Sequence, residues 1–276
     1  LYRKGWRPVM VAYGVAGMFV ALLFWSVFRE RPTMHPWCNT AEQELIGAGL
    51  PVTPPTAGHS SAGTAAGSPA AKTTAFPWRP LLTSPSMWLM SVSQFGTNIG
   101  WVFLITLFPQ YLSDVHRVPL DRQSQMQSLT LMIGMAGMLA GGRLTDRLVH
   151  RVGLKWGRSL PILATRLLAA AAYLACLWLG SPWEITIALA AMAFFTDLGV
   201  AASWAYLQDV GGQYVGATLG WANMWGNFGA AVAPPLVAVV LSAYGWNAVF
   251  CMSAGAFIVS GLAAVGIDAT RPLAAE

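Results

Sequence analysis

Charge is what this chain has least of. Lys, Arg, Asp and Glu make up 10% of its 276 residues, where a soluble domain carries about a quarter. So few charges cannot cover a water-facing surface, which excludes an ordinary soluble enzyme. Cysteine is scarce too. Cys38, Cys176 and Cys251 are odd in number and far apart, so neither a disulfide framework nor a metal-ligand spacing is present. The four histidines, His35, His59, His116 and His150, read as loop residues without a ligand cluster. No hydrolytic triad and no phosphate-binding glycine loop is visible. The net charge of +5 sits mostly in short loops, so a nucleic-acid partner is not expected. Neither a cofactor nor a metal is expected.

What the chain does have is apolar length. It is 55% hydrophobic, with 13 Trp and 28 Gly and a mean hydropathy of +0.53. Trp gathers at membrane interfaces and Gly is common in membrane helices. Seven hydrophobic segments lie at about 8–28, 86–112, 124–142, 160–180, 183–207, 214–240 and 245–267. Each can cross a hydrocarbon core that needs roughly 20 residues. The expected fold class is therefore an all-α polytopic membrane protein, with the lipid bilayer as its main partner.

Between the first and second spans the composition changes. Residues 47–75 are Pro, Gly, Ser, Ala and Thr with almost no large apolar side chain. They cannot bury enough surface to offset chain entropy and read as a disordered linker. TAEQELIGAG at 40–49 is expected to form a short amphipathic helix. FPWRPLLTSP at 76–85 fits an interfacial segment or an irregular loop equally well. The chain starts at Leu1, and LYRKGWRP leads into a long apolar span without a cleavage pattern, so no signal peptide is expected. With an odd span count, the expectation is that an N-terminal part lies upstream.

Basic residues set the orientation. Alternating crossings put Arg29, Arg31, Lys72, Arg79, Arg143, Arg147, Arg151, Lys155, Arg158, Arg166 and Arg271 on one side. Arg3, Lys4, Arg7, Arg117 and Arg122 fall on the other. The first side, with linker and C-terminus, is expected to be cytoplasmic, in a plasma or inner membrane.

Five of those cations lie in one collar between the third and fourth spans, GGRLTDRLVHRVGLKWGR at Gly141–Arg158. Gly141 and Gly142 permit close helix approach. Arg147 and Arg151 share a helix face. Asp146 is placed to pair with an Arg, or with a neighbouring helix N-terminus. The spacing of Gly142, Asp146, Arg147, Arg151, Gly153 and Arg158 resembles the cytoplasmic loop motif of the major facilitator superfamily. That loop joins the second and third helices of each six-helix half. The resemblance implies that the first span is helix six of a transporter and that the next six spans are its C-terminal bundle. The implied division is 1–30 for helix six, 31–85 for the central cytoplasmic loop, 86–267 for the six-helix bundle and 268–276 for a tail. It makes Gly142, Asp146, Arg147, Arg151 and Arg158 candidates for a cytoplasmic gate.

The match narrows further. Gly5, Trp6 and Arg7, followed by Pro32, His35, Pro36, Asn39 and Glu42, resemble the sixth helix of the anion:cation symporters, the family of hexuronate, sugar-acid and organic-anion carriers. LFPQYL at 107–112 and residues 197–236 resemble their seventh, tenth and eleventh helices. The resemblance implies alternating-access transport of a small organic anion with protons, completed by a missing N-terminal half. A non-transporting membrane sensor or assembly protein on the same fold is the alternative.

Polar residues inside the spans are the candidate substrate contacts, because they are costly in lipid. Gln94 and Asn98 lie four apart, with Trp101 one turn on. Ser203 and Trp204 follow in the fifth span, where Trp offers a flat face to a sugar ring. Asn223 and Asn227 share a face of the sixth, ahead of a kink expected at Pro234–Pro235. Each amide also fits interhelical bonding. Asp197 is a possible coupling group or a structural partner for another span; the resemblance puts the main coupling carboxylates upstream. Arg166 is expected to snorkel to the surface, with projection into the pathway as the other reading. Asp209 is expected to make a helix-end contact.

Overall fold

The computed structural model describes residues 6–29, 34–48 and 78–273. The linker at 47–75, apart from its first two residues, and the terminal cations Arg3 and Lys4 lie outside them, as do Gly5, Arg31, Pro32 and Lys72. Among the described residues all regular structure is helical. The chain divides into two units, residues 1–70 and 71–276.

The first unit contains α1 (Trp6–Val27) and α2 (Thr40–Ala48). α1 is apolar on every side, and Tyr13, Phe19, Leu23 and Trp25 are all exposed. Its end carries free carbonyls, as every helix end does. Arg29 Nη1 donates to Trp25 O at 3.1 Å and to Phe28 O at 2.7 Å, and His35 Nε2 bonds Val27 O at 3.1 Å. Asn39 then starts α2, its Oδ1 accepting from the Glu42 amide at 2.8 Å. This satisfies one of the orphan donors of the first turn. The helix expected at 40–49 is this element.

The second unit begins with α3 (Trp78–Thr83), so 76–85 contains a short helix that buries Leu81. α4 (Pro85–Val102) continues through a π-helical turn at Phe103–Leu107 into α5 (Phe108–Asp114). α6 (Leu120–Ala175) holds the third span and most of the fourth. α7 (Pro182–Gly211) is the fifth, and α8 (Val215–Val265) carries the sixth and seventh. α7 opens with Pro182 and a capping box between Ser181 and Glu184, a strong start signal.

The loops expected inside α6 and α8 shrink to single residues. Gly153 (φ 81°, ψ 172°) and Gly245 (φ 76°, ψ −176°) are the only non-helical residues in those helices. Both occupy a backbone region that is essentially glycine's alone. Each splits its helix into two limbs and turns the chain in one step. The collar is thus helical on both sides of Gly153. Pro234 and Pro235 stay inside continuous helix, and the break in α8 comes ten residues later.

Among the described residues, four helices are long and apolar enough to cross a membrane: α1 from Arg7, α4 with α5, α7, and α8. At about 1.5 Å per residue, the 51-residue α8 has length for two crossings. So does the 56-residue α6, although its charged middle lowers its apolarity. The fold class is all-α polytopic membrane protein.

Packing relies on small residues, as expected where lipid supplies no hydrophobic drive between helices. Gly134, Gly137 and Gly141 of α6 lie against α7, and a side chain on Gly137 or Gly141 would strike the Phe194 or Leu198 carbonyl. Gly142 has open space beside it, so of the two glycines expected to admit a neighbour only Gly141 does. α4 meets the second limb of α8 through hydroxyls. Thr97 Oγ1 and Ser260 Oγ are 2.8 Å apart, and Ser260 donates to Ser93 O at 2.7 Å. Two apolar clusters close the ends. The collar end buries Leu81, Met87, Tyr206, Trp221 and Ile267. The opposite end buries Phe103, Tyr111, Tyr173, Phe250 and Phe257. Large apolar side chains such as Met132, Leu139, Ile187, Val239 and Leu262 point outward, a surface suited to lipid.

Candidate functional site

The side-chain amides of α4 meet α8 at Gly226. The Asn98 Nδ2 lies 2.8 Å from where a Cβ on Gly226 would sit, and Gln94 Cβ lies 3.8 Å away. Close approach here therefore depends on the glycine. Asn98 Nδ2 donates to Gln94 O at 2.9 Å, and Asn227 Nδ2 donates to Asn223 O at 2.9 Å. Each helix spends one donor on its own backbone and keeps its amide oxygens free to accept from a ligand. Gln94 and Asn98 are half-buried, and Asn223 and Asn227 are exposed. Gln94 and Asn98 thus line an α4–α8 seam at Gly226, and Asn223 and Asn227 lie on the exposed side of the same α8 segment.

Aromatic rings extend this seam towards the collar end. Trp88 packs on Trp221 and Trp225 with ring centroids 5.5 and 5.4 Å apart. Trp225 also meets Phe228 at 6.0 Å. A depression of about 280 Å³ is lined by Met224, Trp225 and Phe228. Trp221 Nε1 donates to Ser91 Oγ at 2.9 Å, whereas the buried Trp225 Nε1 has no partner. Sequence reasoning passed over Trp225 and Trp88. The i, i+4 spacing of Trp221 and Trp225 was the available signal.

The other candidates do not join the seam. Ser203 is buried and donates to Gly199 O of its own helix at 3.2 Å. Trp204 is exposed on α7. Trp101 packs against the cluster at the opposite end.

At the collar end the gate candidates separate. Asp146, Arg147 and Arg151 are exposed, and the pairing expected for Asp146 is not made: no ion pair among the described residues includes it. Arg158 instead reaches Asp209 at the end of α7, Nε to Oδ2 at 2.7 Å. Its side chain is 11% exposed and that of Asp209 27%. This ties the second limb of α6 to α7 with a charge-assisted bond, among the stronger kinds. Close by, the Asp268 amide donates to Ser86 Oγ at 3.0 Å, and Ser159 Oγ donates to Ile267 O at 3.0 Å. The turn after α8 is thereby fastened to α4 and α6. The Asp268 carboxyl is held below its ordinary range, chiefly by hydrogen bonds from Thr270 and also by Lys155 and Arg271 nearby.

Arg166 departs most from expectation. It does not snorkel. It is fully buried, and Nη1 donates to Thr196 O on α7 at 2.9 Å. The distance from Gly153 decides this. Thirteen residues of helix are about 20 Å, further than an Arg side chain spans. No group of His, Cys, Asp and Glu able to hold a metal occurs among the described residues.

The chain is 27% identical over 243 residues to the Bacillus subtilis (strain 168) protein named "Probable galactarate/D-glucarate transporter GudP", covering 87% of this chain and 51% of that one. It is 27% identical to the Cupriavidus necator protein named "Probable sulfoacetate transporter SauU", covering 96% and 58%. It is 30% identical to the Escherichia coli (strain K12) protein named "Probable galactarate/D-glucarate transporter GarP", covering 86% and 52%. The chain spans about half the length of the curated relatives it matches. Residues 1–215 match the family model of the Major Facilitator Superfamily, and the chain belongs to that superfamily.

Proposed function

We propose that this chain is part of a secondary transporter that moves a small organic anion of the sugar-acid class, with protons, by alternating access. The observation that carries the reading is the contact of Gln94 and Asn98 with Gly226, on the α8 segment that also bears the exposed Asn223 and Asn227. Amides are neutral and bond hydroxyls in either direction, which suits a polyhydroxylated substrate. A row of them flanked by Trp225 and Phe228 offers both polar contacts and flat apolar surface. The names of the relatives supply the substrate class. Two bundles rocking about a central site is the mechanism such a fold serves, and α1, apolar all round, has the form of a helix covered by lipid or by a second bundle. In this reading the seam faces the central cavity, the other half of which comes from a second bundle, and the collar end is cytoplasmic. The Arg158–Asp209 pair fastens that end.

The test is uptake of labelled D-glucarate by the complete protein in proteoliposomes with an imposed proton gradient. Gradient-driven accumulation is expected. Asn98→Ala and Asn223→Ala should raise KM about 5- to 30-fold, as for one lost ligand hydrogen bond of about 1–2 kcal/mol. Tight binding of sugar acids without any uptake would favour a sensor. Unchanged KM in both variants would remove the seam from the substrate path.

A further inference from the structure

Arg166 is the most costly side chain in the bundle, and the seam does not use it. It is fully buried. Nη1 bonds the Thr196 carbonyl, while Nε and Nη2 have no partner. Such a charge is retained in a membrane protein only when something answers it. Gly199 and Gly261 make room for it: a Cβ on Gly199 would lie 3.8 Å from the guanidinium carbon, and one on Gly261 3.1 Å from Arg166 Cβ. Two helices are thus shaped around the cation.

The answering group is Asp197, the residue after the one Arg166 bonds. It lies at the middle of the 30-residue α7, about 22 Å from either end. Its carboxylate is turned to the adjacent face, where Oδ2 lies 2.7 Å from the Cβ position of Gly134. Arg166 bonds the residue next to Asp197, and among the described residues the two charges form no contact ion pair. Apart from Arg166, the other elements packed on α7 add no charge here. α6 presents Gly134 to Asp197 on one limb and Arg166 on the other, and α8 meets Arg166 through Gly261. The nearest further charges on α7, Glu184 and Asp209, lie at its ends. Arg166 is sealed, whereas Asp197 is half-buried.

The geometry points to Asp197 as a proton-carrying group of this half of the transporter, with Arg166 as its fixed counter-charge. This rests on the transport reading above. The guanidinium keeps its proton, so the carboxylate is the exchanging member. With the proton off, the pair sums to zero. A proton taken from the facing aqueous side onto a carboxyl oxygen leaves the Arg166 cation uncancelled at the membrane centre. An anion entering the neighbouring cavity offsets that charge across a medium of low dielectric, where such interactions are strong. Proton and anion therefore favour each other's binding without touching, and the proton leaves when the anion does. Linkage makes this coupling reciprocal.

Asp197→Asn removes the exchanging proton and keeps the shape. In proteoliposomes the variant should retain D-glucarate exchange across a membrane with substrate on both sides. It should lose gradient-driven accumulation by about tenfold or more, within the usual span of site–site coupling. Accumulation equal to wild type would overturn the assignment, as would loss of exchange in a correctly inserted variant, which would mark a structural role. If that variant does not fold, Asp197→Glu decides: a displaced pH midpoint of uptake supports the assignment and an unmoved one rejects it. Absence of uptake by the wild-type protein would instead bring down the transport reading, so the two failures are distinguishable.

Discussion

Arg158 and Asp209 show how much one contact can be asked to do. Their 2.7 Å bond is mostly shielded from water, so a partner left alone would be under-solvated. Arg158→Ala or Asp209→Asn should each lower stability in detergent by about 1–3 kcal/mol, the usual scale for a hydrogen bond to a charged group. The double variant should cost less than the two losses together, because it leaves no orphan charge. Thermal unfolding of the four proteins measures the coupling, and additive losses would mean the bond contributes nothing. Gly137→Leu is expected to be worse than either. Its side chain would press on the Phe194 carbonyl, and overpacking costs roughly 1–3 kcal/mol or more.

The sequence placed cations at the collar and offered Asp146 as the partner of an Arg, with Asp209 as a helix-end contact, whereas Asp209 is the residue that pairs with Arg158. The reason is physical. Spacing along one helix says which residues share a face, whereas the Arg158 partner comes from a different helix 51 residues later. Arg166 was misjudged for a related reason: snorkelling depends on depth, and depth follows from where the helix turns at Gly153.

At the scale of the helix, those single-residue corners are the main departure from expectation. The hydrophobic segments were legible because lipid demands long apolar runs, and the helices at 40–48 and 78–83 fell where composition allowed. The corners were not legible, since 28 glycines include packing and turning residues alike and only φ tells them apart. Gly153→Ala and Gly245→Ala should each cost about 1–3 kcal/mol, the price of a strained backbone region. Gly142→Ala, with open space beside it, is the matched control and should be neutral in the same melting experiment.

The turn after α8 has its own dependence on pH. Folding lowers the Asp268 carboxyl below its ordinary value through the Thr270 bonds. A lowered acid stabilises the fold above its unfolded pKa, and that contribution disappears as pH falls through the folded value. The turn is therefore expected to loosen below the ordinary carboxylate range, and Asp268→Asn should remove this dependence. Hydrogen exchange at Thr270, whose amide donates to Asp268 Oδ1 at 3.0 Å, reads it directly.

For the whole molecule, the arrangement of limbs makes a topological prediction. Arg151 stands beside the Gly153 corner, and His116 sits in the turn between α5 and α6 at the opposite end. Single cysteines at these positions, in a background without the native three, should be labelled by impermeant reagents from opposite faces of the membrane. Position 151 is expected to react from the cytoplasmic side. Labelling of both from one face would reject the proposed orientation.

The two corners also bear on what the gene can tolerate. The turn from α6 to α7 spends Cys176 to Ser181 on its reversal, enough chain to accept an added residue or lose one. At Gly153 and Gly245 no such slack exists. A single inserted residue there would rotate one limb by roughly 100° about its axis, presenting its packing face to lipid. Length variation across related genes, and successful placement of tags or fluorescent domains, should therefore avoid these two points and collect in the α6–α7 turn.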